Sequence, residues 1–207
     1  IAVSATAEHE EELARLVMEA AGTGVRVHTV REGCWRPPLD FGVRRTLSLL
    51  VRVPVGAAVA LDEGGAGVYE VGAVGGPLRL DFSGAAKLSA QAVTRLHADI
   101  SGSASVDVGN AEGAADIAMS GSGSFAIGAA DLSTMHVNLS GAGSVAVAHG
   151  HIGSVSLDES GFGSIGIGAE VGDAHVEISG AGSVHFAKVT GALTKDVSGV
   201  GDVSVGE

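Results

Sequence analysis

Apolar and polar residues alternate along most of this chain with a period of two. Leu96, Ala98 and Ile100 are apolar, and His97 and Asp99 between them are polar. Met135, Val137 and Leu139 repeat the pattern around His136 and Asn138, and Ala174, Val176 and Ile178 repeat it around His175 and Glu177. After a short Ser/Gly interval the alternation resumes, as Val106 and Val108, Phe125 and Ile127, Val145 and Val147, Ile165 and Ile167, and Val184 and Phe186. Period two with β-branched residues predicts short strands that each bury one face.

The interval itself recurs. It reads Ser-Gly-x-x-Ser, usually Ser-Gly-x-Gly-Ser, starting at Ser101, Ser120, Ser140, Ser160 and Ser179, with variants at Gly64, Ser83 and Ser198. The successive spacings are 19, 18, 19, 20, 20, 19 and 19 residues. So narrow a period marks a solenoid, and it is too short for paired-helix repeats. It suits an all-β fold, a right-handed parallel β-helix with coils of about 19 residues, in which each strand pairs with its equivalent one coil on. At about 4.8 Å per coil, eight coils make a rod of roughly 38 Å. Leu80, Ala98, Ile117, Val137, Leu157 and Val176 are expected to form one inward column. Each Val, Ile or Leu buried there contributes on the order of 1.5–3 kcal/mol before entropy is subtracted. The motif glycines are expected to supply positive φ at tight corners.

The first residues differ in kind. Leu13, Leu16, Val17 and Ala20 fall at helical spacing, with acids before them and Gly22 after, predicting a short amphipathic helix near residues 8–21. Strands are expected on either side, at Ile1–Ser4 and Val25–Val30, and the helix would cap the first coil. The run Gly33–Pro38 reads as a loop, and strand pattern returns at Leu47–Val53. The expected organisation is one solenoid domain over 1–207, with a cap-like segment at 1–46 and regular coils over 47–207. The last residues, Val203–Glu207, fall inside a coil, so a sheet edge is expected there that could recruit a second copy unless further residues follow.

Charge narrows the partners. Residues 1–95 carry ten Lys and Arg against eleven Asp and Glu, whereas 96–207 carry two against thirteen. So acidic a half repels phosphate backbones and disfavours nucleic acid. No apolar run is long enough for a membrane-spanning helix. The single Cys34 has no internal disulfide partner and no metal-site spacing. With one Trp, one Tyr and five Phe, the interior must be thin and built of small aliphatic side chains.

These repeats resemble the family described as putative auto-transporter adhesin, head GIN domain. The carrying residues are copies such as Ser179-Gly180-Ala181-Gly182-Ser183-Val184 and Ser198-Gly199-Val200-Gly201-Asp202-Val203, with Val3-Ser4-Ala5, the Glu-rich segment before Leu13 and the strand at Val25–His28. The resemblance is best from about Leu47 onward, and the Trp35–Pro38 loop departs from it. It implies a β-helical bacterial protein that is secreted, periplasmic or at the cell surface, with no catalytic residues to carry over.

Candidate chemistry lies on the outward positions. Two residues before each motif stand Asp81, Asp99, Ala118, Asn138, Asp158, Glu177 and Asp196, an expected ladder of oxygen ligands suited to weak calcium binding or simply to solvation. Four residues before it stand His97, Asp116, His136, Ser156, His175 and Thr194, with the histidines two coils apart and too distant to share a metal. His149 and His151 form a His-Gly-His turn, a weak transition-metal signal. Asp158 and Glu159 are the paired acids a polysaccharide-cleaving β-helix would use, but Trp35 and Tyr69 lie away from them and no catalytic constellation is visible. The expected function is therefore non-enzymatic binding or assembly through a strand surface or coil ends, with no cofactor. The alternative is glycan or cation capture on the Asp/His face. Partners are expected to be a second copy, another surface protein or a glycan.

Overall fold

A computed structural model describes residues 2–7, 16–21, 24–29 and 47–206 of the chain. All its regular structure among the described residues is β, with no helix. The chain divides into two compact units, Ile1–Pro54 and Val55–Glu207.

In the first unit, β1 (Ala2–Ala7) pairs antiparallel with β4 (Leu47–Arg52), from Ala2 opposite Arg52 to Ala7 opposite Leu47. β2 (Leu16–Ala21) and β3 (Gly24–Thr29) form a second antiparallel pair, from Leu16 opposite Thr29 to Ala21 opposite Gly24. The helix expected near residues 8–21 is therefore corrected over Leu16–Ala21, which is strand. Good helix formers fill that segment, but a short isolated helix is marginal, and Val25-Arg26-Val27 offers a complete ladder two residues beyond. Residues 8–15, and the Gly33–Pro38 loop with Cys34 and Trp35, lie outside the described residues.

The second unit is the solenoid. Its strands are β5 (Val59–Glu63), β6 (Ala66–Ala73), β7 (Pro77–Phe82), β8 (Ala85–Ile100), β9 (Ser103–Met119), β10 (Ser122–Leu139), β11 (Ala142–Glu159), β12 (Ser164–Ile178), β13 (Ser183–Val189), β14 (Leu193–Val197) and β15 (Asp202–Val205). Every pairing among them is parallel and joins a strand to its equivalent in the next coil. The column Leu80, Ala98, Ile117, Val137, Leu157 and Val176 forms as expected, each residue opposite the next and all buried. Three of the five Phe residues, Phe82, Phe125 and Phe186, are among the largest fully buried side chains.

Unequal coil lengths do not break the ladders. Where neighbouring coils differ in length, the register slips between Val93 and Arg95, Leu132 and Thr134, or Val147 and His151; between Ile167 and Glu170 it slips where two 19-residue coils meet, and it is restored by Ala174 opposite Leu193. In the first of the 20-residue coils the surplus residue is Ser133, whose hydroxyl donates to the Gly113 carbonyl one coil below at 2.6 Å. The slips lie between the two straight runs of each coil, so the inward positions of both runs stay aligned.

The motif glycines do not work as the sequence suggested. Among the described residues, the glycines at positive φ are Gly56, Gly75, Gly113 and Gly150, none of them in a Ser-Gly-x-Gly-Ser copy. The first motif glycine is needed for clearance instead. A Cβ on Gly102, Gly121, Gly141, Gly161, Gly180 or Gly199 would overlap the carbonyl oxygen of the equivalent glycine one coil below. The second glycine makes room for a side chain. A Cβ on Gly143 would strike Met119, one on Gly163 Leu139, one on Gly182 Glu159 and one on Gly201 Ile178. Each of those side chains stands immediately before the motif one coil below, tucked beneath the glycine's corner.

Candidate binding face

The two outward columns form as continuous ladders. Asp62, Asp81, Asp99, Ala118, Asn138, Asp158, Glu177 and Asp196 stand opposite one another in turn, and all but the half-buried Ala118 are exposed. Beside them run Arg79, His97, Asp116, His136, Ser156, His175 and Thr194. Backbone pairing fixes these side chains about 4.8 Å apart along each column, and pleating turns them away from the apolar interior.

Local pairing occurs within the face. His97 Nδ1 lies 3.3 Å from Asp116 Oδ2, and His175 Nε2 lies 3.1 Å from Glu177 Oε1. Thus His97 and His175 pair with neighbouring acids, the first along its column and the second across to the next. A shallow groove of about 280 Å³ opens among His136, Ser154, Ser156, Asp173, His175 and Thr194. Asp173 Oδ1 accepts a hydrogen bond from the Ala192 amide at 2.8 Å on the rim of that groove. A second depression, of about 270 Å³ at the other end of the face, is lined by Arg79, Arg95, His97 and Pro77 among others. No group of three or more His, Cys, Asp or Glu placed to hold a metal ion occurs among the described residues.

His149 and His151 sit in β11 on either side of Gly150, whose φ of 125° turns the strand. Both are exposed. In register with His151 stand Asp131 and Glu170, and Lys188 Nζ donates to Glu170 Oε2 at 2.6 Å. That hydrogen bond, and the Lys188 charge, hold the Glu170 carboxyl below its ordinary range.

Asp158 and Glu159 part company. They are successive strand residues, so they point to opposite faces: Asp158 is exposed, and Glu159 is 1% exposed within the core. They do not form a carboxylate pair across a groove. Glu159 is the one buried polar or charged side chain among the described residues. Its Oε1 accepts from the Gly163 amide at 3.1 Å, while Oε2 has no hydrogen-bond partner. Burial raises its carboxyl above the ordinary range, and the Gly163 hydrogen bond offsets part of that rise.

A second carboxylate occupies the same register position in an earlier coil. Glu63 accepts from the Gly65 amide through one oxygen and from the Tyr69 hydroxyl through the other. The Tyr69 ring stacks on Phe82 with centroids 5.8 Å apart. Burial, then the Glu63 hydrogen bond, raises the Tyr69 hydroxyl above its ordinary range. Sequence reasoning passed over the inward role of both glutamates. The signal was present: other copies place Phe82, Ile100, Met119, Leu139, Ile178 or Val197 immediately before the motif, and only these two place an acid there.

No known protein family, curated protein or solved structure matches this chain.

Proposed function

We propose that this chain is a non-enzymatic, adhesin-like β-solenoid that works outside the cytoplasm by presenting its outward strand ladders to a partner surface. The observation that supports this reading most is the unbroken register of the two outward columns, which repeats one set of polar groups along the rod. A partner that grips one coil grips the next at the same spacing, so weak contacts act together. The extracytoplasmic setting rests on the resemblance of the Ser-Gly-x-Gly-Ser copies to the head GIN domain family. The partner is a second copy, another surface protein or a glycan.

A narrower version has the Asp/His face take up a glycan or a cation. It is favoured by the groove among His136, Ser154, Ser156, Asp173, His175 and Thr194, whose hydroxyl, imidazole and carboxylate groups suit sugar hydroxyls. Sedimentation velocity across protein concentration, with calcium and then with chelator, alongside a glycan array, tests both versions. The expected result is concentration-dependent growth or glycan retention. It should be lost in the double variant Asp158→Lys with Glu177→Lys and kept in Ser124→Lys, which alters the other straight run of the coil. A monomer indifferent to calcium, with a blank array, would overturn the reading.

A further inference from the structure

Glu159 occupies a position that every other coil but that of Glu63 gives to an apolar side chain. Its column runs Glu63, Phe82, Ile100, Met119, Leu139, Glu159, Ile178 and Val197. The carboxyl lies beneath the next coil's corner, in the space that a Cβ on Gly182 would take. We propose that Glu159 makes the corner from Ser160 to Ser164 a proton-controlled seam in the solenoid, closed while the carboxyl is neutral and opened when it ionises.

The two glutamates of the column show why. Glu63 has a donor for each oxygen, the Gly65 amide and the Tyr69 hydroxyl. The register of Tyr69 runs through Leu88, Val106, Phe125 and Val145 to Ile165, so at the coil of Glu159 an apolar side chain stands where the phenol stands for Glu63. Glu159 Oε2 is therefore left without a donor. A neutral carboxyl tolerates that setting far better than a carboxylate, whose buried charge would need pairing or water.

Among the described residues, no charged group faces Glu159 to stabilise the ionised form. Its column neighbours are Leu139 on β10 and Ile178 on β12, the next inward residue of its own strand is Leu157, and Gly163 and Gly182 close the corner. Burial and the Gly163 hydrogen bond are the causes that act on its protonation, with no contribution from another charge. The folded chain thus holds this proton more tightly than an open corner does. Its stabilising contribution is complete below the ordinary carboxyl value of 4.5 and is lost as pH rises through the folded value above it. The corner that yields carries Phe162, already 75% exposed, and is held to its neighbours by Phe162 N–H donating to Gly141, Ala181 N–H to Gly161 and Ser183 N–H to Gly163.

Amide hydrogen exchange on the full chain between pH 4 and pH 8, expressed as protection factors, tests this directly. Protection at Ala181 and Ser183 should fall by up to about tenfold per pH unit once pH exceeds the ordinary carboxyl range. Protection at Ser122 and Ala142, at corners above Ile100 and Met119, should stay level. Glu159→Gln should abolish the fall, and so should Glu159→Leu, which restores the residue type of Leu139 and keeps the test valid if the amide variant folds poorly. A fall that persists in either variant, or that appears equally at Ser122 and Ala142, would overturn the proposal.

Discussion

A glycine in a repeat is easily credited with conformational freedom, but here the backbone needs clearance. Gly121 and Gly166 separate the two ideas. A Cβ on Gly121 would overlap the Gly102 carbonyl oxygen, whereas one on Gly166 would meet nothing within 4 Å. Gly121→Ala should therefore cost on the order of 1–3 kcal/mol, as forced overpacking does. Gly166→Ala should be neutral or stabilise by about 0.4–1 kcal/mol, because it lowers the entropy of the unfolded chain. Thermal or urea unfolding of the two variants checks the difference, and equal effects would contradict the clearance argument. The motif and its period were legible from Ser101, Ser120 and their successors, because a ladder demands like residues at like positions. The cause of the motif was not, since it depends on the distance between neighbouring coils. Glu159 was legible as an acid but was grouped with Asp158, although alternation already assigned the two to opposite faces.

At the scale of the element, alternation predicted the strands well wherever an equivalent strand lay one period away. It failed at Leu16–Ala21, where Leu16, Met18 and Ala20 fit a strand, Leu16, Val17 and Ala20 fit a helix, and β3 supplies a partner that helix spacing does not reveal. The same dependence on partners explains why coils of different length stack. Ladder hydrogen bonds hold the straight runs, and the slips gather between them, as at Ser133. One residue inserted after Ser133 should therefore leave the thermal midpoint within a few degrees of the parent. One residue inserted after Ala126, inside the run from Ser122 to Ile127, would turn Ile127 outward and bring polar positions into the core. That variant should lose cooperative unfolding in a calorimetric scan; tolerance of both insertions would show that the register is not held by the runs.

Across the whole molecule, charge and stacking oppose each other. The net charge is −12, and thirteen of the acids lie in residues 96–207 with two Lys among them. The outward acids of neighbouring coils are like charges about 4.8 Å apart, which destabilise one another by roughly 0.2–1 kcal/mol where unscreened. Asp158 has Asn138 on one side and Glu177 on the other, so Asp158→Asn removes one such repulsion. The variant should melt slightly higher than the parent at low salt, with the gap closing in 0.5 M salt; a lower melting point at low salt would show that the carboxylate is paired rather than repelled. The hydrogen bonds that join coils run along the stack, while the covalent chain runs around it. A pull along the stack therefore loads those bonds in series, and they break a coil at a time. Each coil of 19 residues would release roughly 60 Å of slack, the contour of an extended chain less its rise in the stack. Under load such a rod behaves as a chain of small fuses, yielding in even steps while the coils still closed keep their faces.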